Sequence, residues 1–309
     1  MRFPLRFFPT KPNFPFMKHH RQMLVFSVLT MVVSVFLLST RGLNLGIDFA
    51  GGIVMEIHTE QAVDLANLRN TLAKNDFKDA ALQDLGNAND VMIRLPVAAI
   101  DEKKTGTENA NQSAHVAALK TLLIENFGEK IEFRKIDYVG PKVGKELARS
   151  GLVATCLAFI GIMFYLWFRF EWQYGLGALI ALIHDAWLTI GFFSATGLEF
   201  NLTSVAAILT IVGYSVNDSV VIYDRVRENA RKFKKMPLDE ILNLSLNETL
   251  SRTILTVGTT VMALLALTGW GGDALFSFSA SCLFGVVIGT YSSIYISAPI
   301  LYYVKPINR

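Results

Sequence analysis

Residues 201–223 read Asn-Leu-Thr-Ser-Val-Ala-Ala-Ile-Leu-Thr-Ile-Val-Gly-Tyr-Ser-Val-Asn-Asp-Ser-Val-Val-Ile-Tyr, a long apolar run carrying one charge, Asp218. Crossing the hydrocarbon of a bilayer takes roughly 20 mostly apolar residues, and this stretch meets that length. Working outward, residues 23–40, 151–168, 174–196, 251–269 and 274–304 qualify as well, the last long enough to tilt or protrude. Six spans are therefore expected. Composition agrees: of 309 residues 52% are hydrophobic and 18% charged, against about 25% charged in soluble domains. Charge is also uneven, because residues 41–150 hold 14 of the 29 Lys+Arg while 174–183 and 256–268 hold none. A water-soluble enzyme with one large core and a disordered chain are both excluded. A net charge of +3 is too small and dispersed for nucleic acid. The two cysteines, Cys156 and Cys282, lie inside apolar runs, so no disulfide framework is expected.

Met23–Thr40 follows a 22-residue basic leader, and Leu37-Leu38-Ser39-Thr40-Arg41 offers no small-x-small cleavage site, so it reads as an uncleaved first span. Basic residues concentrate in the leader (Arg2, Arg6, Lys11, Lys18, Arg21), at Arg169, in the 224–250 linker (Arg225 to Lys235) and in the 305–309 tail. With six spans these segments share one side, which the positive-inside rule makes cytoplasmic. Both termini are then cytoplasmic in an inner membrane, and residues 41–150 face outward.

That insert is patterned. Gly52–Thr59 alternates and is β-branched, as a strand does; Val63–Lys74 reads as a helix, 81–85 and 91–95 as paired strands. A polar loop over 101–111, a helix over 114–126 and a strand over 130–139 complete the order βαββαβ, the ferredoxin-like split unit.

Ionisable groups deep in a span cost about 2.5–3.5 kcal/mol each on insertion scales, so His184, Asp185, Asp218 and Arg252 need a purpose. Asp218 lies about 8–9 Å inside the basic boundary at 1.5 Å per residue; it is either a structural carboxylate held by Ser or Asn neighbours, or a proton acceptor. Arg252 either snorkels and pairs with Glu248 at i, i+4 spacing, or belongs to a polar stripe of Glu248, Thr249, Arg252, Thr256, Thr259 and Thr260 that faces protein or water. Asp185, with Ala181 and Gly177 at four-residue steps, points into the bundle; His184 beside it points elsewhere. In the sixth span Ser277, Ser281, Gly285, Gly289, Ser293 and Ser297 form a small-residue stripe suited to close packing. His-Glu-x-x-His, a phosphate loop and a nucleophile elbow are absent and the histidines are scattered. No enzyme, metal site or cofactor is expected.

Several stretches resemble the SecD/SecF branch of the resistance-nodulation-division superfamily: Gly46-Ile47-Asp48-Phe49-x-Gly51-Gly52, Asp137-Tyr138-Val139-Gly140-Pro141-x-Val143-Gly144, His184-Asp185, Gly213 to Asn229, and Asn247-Glu248-Thr249-Leu250-Ser251-Arg252-Thr253. Ser219 stands where the resemblance leads one to expect threonine. The resemblance implies partnership with SecD, docking on the SecYEG channel, association with YajC, contact with a translocating preprotein, and proton-driven export. It makes Asp218 and Arg252 the proton-relay residues; Asp185, His184, Asn217, Tyr214 and Glu248 are expected to have supporting or structural roles. Two other classes stay open: half of a proton-coupled small-molecule exporter, and a purely structural assembly subunit in which Asp218 and Arg252 are replaceable.

Overall fold

The computed structural model describes residues 12–75, 77, 80–85, 87, 89–96, 108–128 and 131–304. Two compact units emerge, residues 45–153 and a second made of 1–44 with 154–309.

In the first unit α2 (Ile47–Ala50) leads into β1 (Gly52–His58), followed by α3 (Leu65–Lys74), β2 (Ala81–Asp84), β3 (Asp90–Pro96), α4 (Glu108–Phe127) and β4 (Glu132–Val139). The strands make one antiparallel sheet in the order β2-β3-β1-β4, which is the expected ferredoxin-like unit. Ile53, Met55 and Ile57 alternate along β1 and pack with Leu68 and Leu72 of α3 and Leu119 and Leu123 of α4; removing this apolar surface from water is the main source of the unit's stability. Asp64 starts α3 by accepting from the backbone N–H groups of Ala66 and Asn67 at 2.9 and 3.2 Å, satisfying donors that a helix start leaves free. Residues 108–111, expected in a loop, are the first turn of α4, and 101–107 lie outside the described residues.

Two motifs far apart in sequence meet at the head of β1. Gly52 pairs with Val139 and Val54 with Asp137, while a Cβ on Gly144 would sit 3.2 Å from the carbonyl oxygen of Phe49. Gly52 itself has φ +140° and its Cβ would lie 2.2 Å from the Leu95 carbonyl oxygen. Only glycine fits there.

The second unit contains α1 (Phe16–Arg41), α6 (Trp172–Thr196), α7 (Leu202–Lys232), α8 (Leu238–Trp270), α9 (Asp273–Ser292), a π-helical segment (Ser293–Ser297) and α10 (Ala298–Tyr303). Helix α5 (Pro141–Arg169) enters it from the first unit. Among the described residues six helices are long and apolar enough to cross a membrane. They are not equivalent: 56% of the most apolar window of α6 is buried, against 11% in α1 and 6% in α5. The bundle is therefore built around α6, α7 and α9.

The helices overrun the spans read from hydropathy. At 1.5 Å per residue the 31 residues of α7 and 33 of α8 reach about 46 and 50 Å, beyond a hydrocarbon core of roughly 30 Å. Consequently the 224–250 linker is mostly a helical hairpin, with its turn at 233–237. Val226 and Ala230 pack on Ile241, Leu242 and Leu246, and Asn229 donates to Ser245 at 3.0 Å and Glu248 at 2.8 Å. Helix α1 likewise begins inside the basic leader, at Phe16. The 305–309 tail and residues 1–11 lie outside the described residues.

Candidate functional site

Helix α7 is set in register at its start. The Asn201 side chain accepts from the Ser204 backbone and the Ser204 hydroxyl from the Asn201 backbone, a reciprocal capping box. Fourteen residues on, Ser215, Asp218 and Ser219 fall on its buried face. Helix α9 then comes unusually near: a Cβ on Gly285 would lie 2.3 Å from Ile211 Cδ1, and one on Gly289 would lie 3.2 Å from Ser215 Cβ. The small-residue stripe thus faces α7, as such stripes do where backbones approach. A four-residue step overshoots an α-helical turn by about 40°. The π-helical turn at Ser293–Ser297 holds more residues per turn and offsets that drift, keeping Ser293 and Ser297 on the same seam. There Ser297 meets the buried Tyr223 hydroxyl.

Two carboxylates end up in this seam. Asp218 is buried, its Oδ1 accepting from the Thr253 hydroxyl of α8 at 2.7 Å and its Oδ2 from the Ser293 hydroxyl at 2.8 Å. Asp185 on α6 is fully buried; its Oδ2 accepts from Ser215 at 2.6 Å and Ser292 at 2.7 Å. His184 Nδ1 lies 3.0 Å from Asp185 Oδ1, and the ring turns toward Tyr291 of α9, 6.3 Å away between centroids. Asp185 does point into the bundle. Its α6 neighbour Gly177 approaches the Tyr223 hydroxyl so closely that a Cβ would lie 2.8 Å from it.

Among the described residues Arg252 does not pair with Glu248. Thr253, not Arg252, turns toward Asp218, and successive residues on a helix point about 100° apart. Arg252 is exposed on α8 and makes no ion pair among the described residues. Glu248 is drawn to α7 instead, with Arg225 Nε at 3.7 Å and Asn229 Nδ2 at 2.8 Å. The polar stripe does not face this chain's interior beyond Thr249: Thr256 and Thr259 are exposed and Thr260 half-buried. Their hydroxyls donate to carbonyls of their own helix, Thr256 to Arg252, Thr259 to Leu255 and Thr260 to Thr256, at 2.9–3.1 Å. Back-bonding of this kind removes the cost that would have forced them inward. Asn217 is exposed, and Tyr214 is half-buried beside Val257 and Val261 of α8.

Ser215, Thr253, Ser292 and Ser293 as carboxylate donors were not read from sequence. A hydroxyl in a span carries no distinctive signal, and Ser292 falls outside the every-fourth stripe. No cluster of three metal-ligating side chains occurs among the described residues.

Residues 119–306 match the family model "Protein export membrane protein SecD/SecF, C-terminal", and residues 36–63 match "SecD/SecF GG Motif". The chain is 49% identical over 299 residues to protein translocase subunit SecF of Rickettsia conorii, covering 97% of this chain and 94% of that one. It is 48% identical to the same subunit of Rickettsia bellii, covering 97% and 96%. Among solved structures it is similar to SecDF of Thermus thermophilus, with a TM-score of 0.84 and 32% identity over 98% of this chain. A second SecDF structure, in a super-membrane-facing form, gives a TM-score of 0.70. The chain spans 40% of the length of each SecDF chain.

Proposed function

The chain belongs to the SecD/SecF family of protein export membrane proteins, and from there we propose that it is the SecF-type subunit of a Sec translocase, using a proton gradient with SecD to complete preprotein export. It is a multi-pass membrane protein. Its setting in this proposal is the bacterial inner membrane, with both termini cytoplasmic and residues 41–150 outside. Its further partners are the SecYEG channel, YajC, the preprotein and membrane lipid. No cofactor and no catalytic step of its own are part of it.

The observation that carries the reading is Asp218, a carboxylate buried among apolar helices and held, among the described residues, by the hydroxyls of Thr253 and Ser293. A proton crossing about 150 mV releases roughly 3.5 kcal/mol, at about 2.3 kcal/mol per charge per 100 mV. Adding that proton to Asp218 converts an acceptor of two hydrogen bonds into a donor, and so changes what holds α7, α8 and α9 together. Arg252 enters differently from a bonded partner of Asp218. An exposed guanidinium at the start of an apolar run needs a counter-charge or a wet surface, and a SecD subunit lying against α8 supplies that cover.

Asp218→Asn keeps the shape and removes the proton site. Gradient-dependent export in inverted vesicles, normalised to the amount of complex, should fall to the gradient-independent level. Full activity of this variant would remove Asp218 from the relay.

A further inference from the structure

Asp185 is as buried as any group in the bundle and is used by nothing above. We infer that Asp185 is a second proton-binding carboxylate, linked to Asp218 through the adjacent hydroxyls of Ser292 and Ser293. The inference rests on the proton-driven reading for its purpose, but its chemistry stands on the hydrogen bonds alone.

Each serine sits between two acceptors. Ser292 Oγ is 2.7 Å from Asp185 Oδ2 and 3.1 Å from the Gly289 carbonyl; Ser293 Oγ is 2.8 Å from Asp218 Oδ2 and 2.9 Å from the Thr290 carbonyl. A hydroxyl has one proton to donate, so it serves the carboxylate or the carbonyl, never both. With the carboxylate ionised, the serine donates to it. With the carboxyl protonated, its O–H donates to the serine oxygen and the serine proton turns to the carbonyl of its own helix. Every buried polar atom of the exchange keeps a partner in both states, which a low-dielectric interior demands.

The remaining neighbours point the same way. Among the described residues Asp185 has no lysine or arginine within ion-pair distance; the groups around it are His184, Ser215 and Ser292, with Tyr291 behind the His184 ring. Around Asp218 they are Thr253 and Ser293, while Arg252 and Glu248 of α8 are exposed. His184 Nε2 is buried without a partner among the described residues. A second proton on that ring would have no acceptor, whereas one on Asp185 has Ser292. Ser292 and Ser293 are consecutive and sit where α9 passes into its π-helical turn, so the hydrogen bonds of both carboxylates bear on the same turn.

Infrared difference spectra of the full chain in proteoliposomes, taken across a pH series, test this through the carboxylic C=O stretch. Two bands of buried carboxyls, apart from the broad absorption of the exposed ones, should appear and disappear with pH. Asp185→Asn should remove one and shift the other in frequency; Asp218→Asn should do the converse. Ser292→Ala should displace only the Asp185 band and Ser293→Ala only the Asp218 band, which keeps the test valid should Asp185→Asn fail to accumulate. A spectrum of Asp185→Asn identical to wild type, or of Ser292→Ala if that must stand in, would overturn the inference. Loss of no band in Asp218→Asn would instead count against the relay reading, with Asp185 judged separately by its own band.

Discussion

Asp90 illustrates how much one side chain depends on its neighbours. It starts β3, and its Oδ1 is shared by His58 Nδ1 of β1 and by Arg134 Nη1 at 2.8 Å. Arg134 reaches it because β4 bulges there: Glu56 pairs with Lys135 and Ile57 with Phe133, leaving residue 134 unpaired and re-aimed. The hydrogen bond from His58, then that from Asn87, hold the Asp90 carboxyl below the usual range; burial opposes them and the Arg134 charge adds to them. A depressed carboxyl stabilises the fold above its unfolded value, about 3.9, and that contribution is lost as pH falls through the lower folded value. The protection of amides in β1 and β3, relative to their intrinsic exchange, should therefore fall below about pH 4, and Asp90→Asn should flatten this acid response. An unchanged acid response in Asp90→Asn would refute the assignment. At this scale the sequence was informative about charge and did not say which hydroxyls meet it. Asp185 and Asp218 stood out because an acid in an apolar run has few bland explanations. The offsets of three and four picked out Thr256 and passed over Thr253, yet the turn of α8 bonds Thr253 to Asp218 and Thr256 to its own helix.

Elements were legible where burial is periodic and blurred where a helix leaves the bilayer. Hydropathy marks the lipid-facing part of α7 and α8 but not their polar extensions, whose helicity comes from packing on each other. The start of α1 is fixed in the same way. Asn247 accepts from the Phe14 N–H at 2.8 Å and donates to the Phe14 carbonyl at 2.9 Å, and Asn243 accepts from the Met17 N–H at 3.3 Å. These side chains of α8 satisfy donors at the head of another helix, which no local capping pattern in 12–20 could announce. Asn247→Ala should release α1's first turn by about 1–2 kcal/mol. Amide exchange around residues 14–18 should then quicken by about 5–30-fold, with the rest of the bundle unchanged; no local change would remove this role.

At the scale of the molecule, six spans and a βαββαβ insert were readable from charge, length and alternation alone, because membrane thickness and sheet pleat impose their own periods. The sidedness drawn from the basic segments has a direct check. Alkaline phosphatase fused near Gly106 should be active and one fused near Lys234 inactive, and the opposite pattern would invert the topology. The α7–α9 seam, for its part, constrains how such a sequence can drift over time. With all three outer carbons of Ile211 within 2.8 Å of where a Gly285 Cβ would stand, Gly285→Ala alone overfills the contact at about 1–3 kcal/mol. Paired with Ile211→Ala it should recover most of that loss, as contacting positions are not additive, which thermal unfolding of the two variants would measure. Descendant sequences are thus expected to change these two positions together or not at all, so that the closeness of two helices is inherited as a correlation between distant letters.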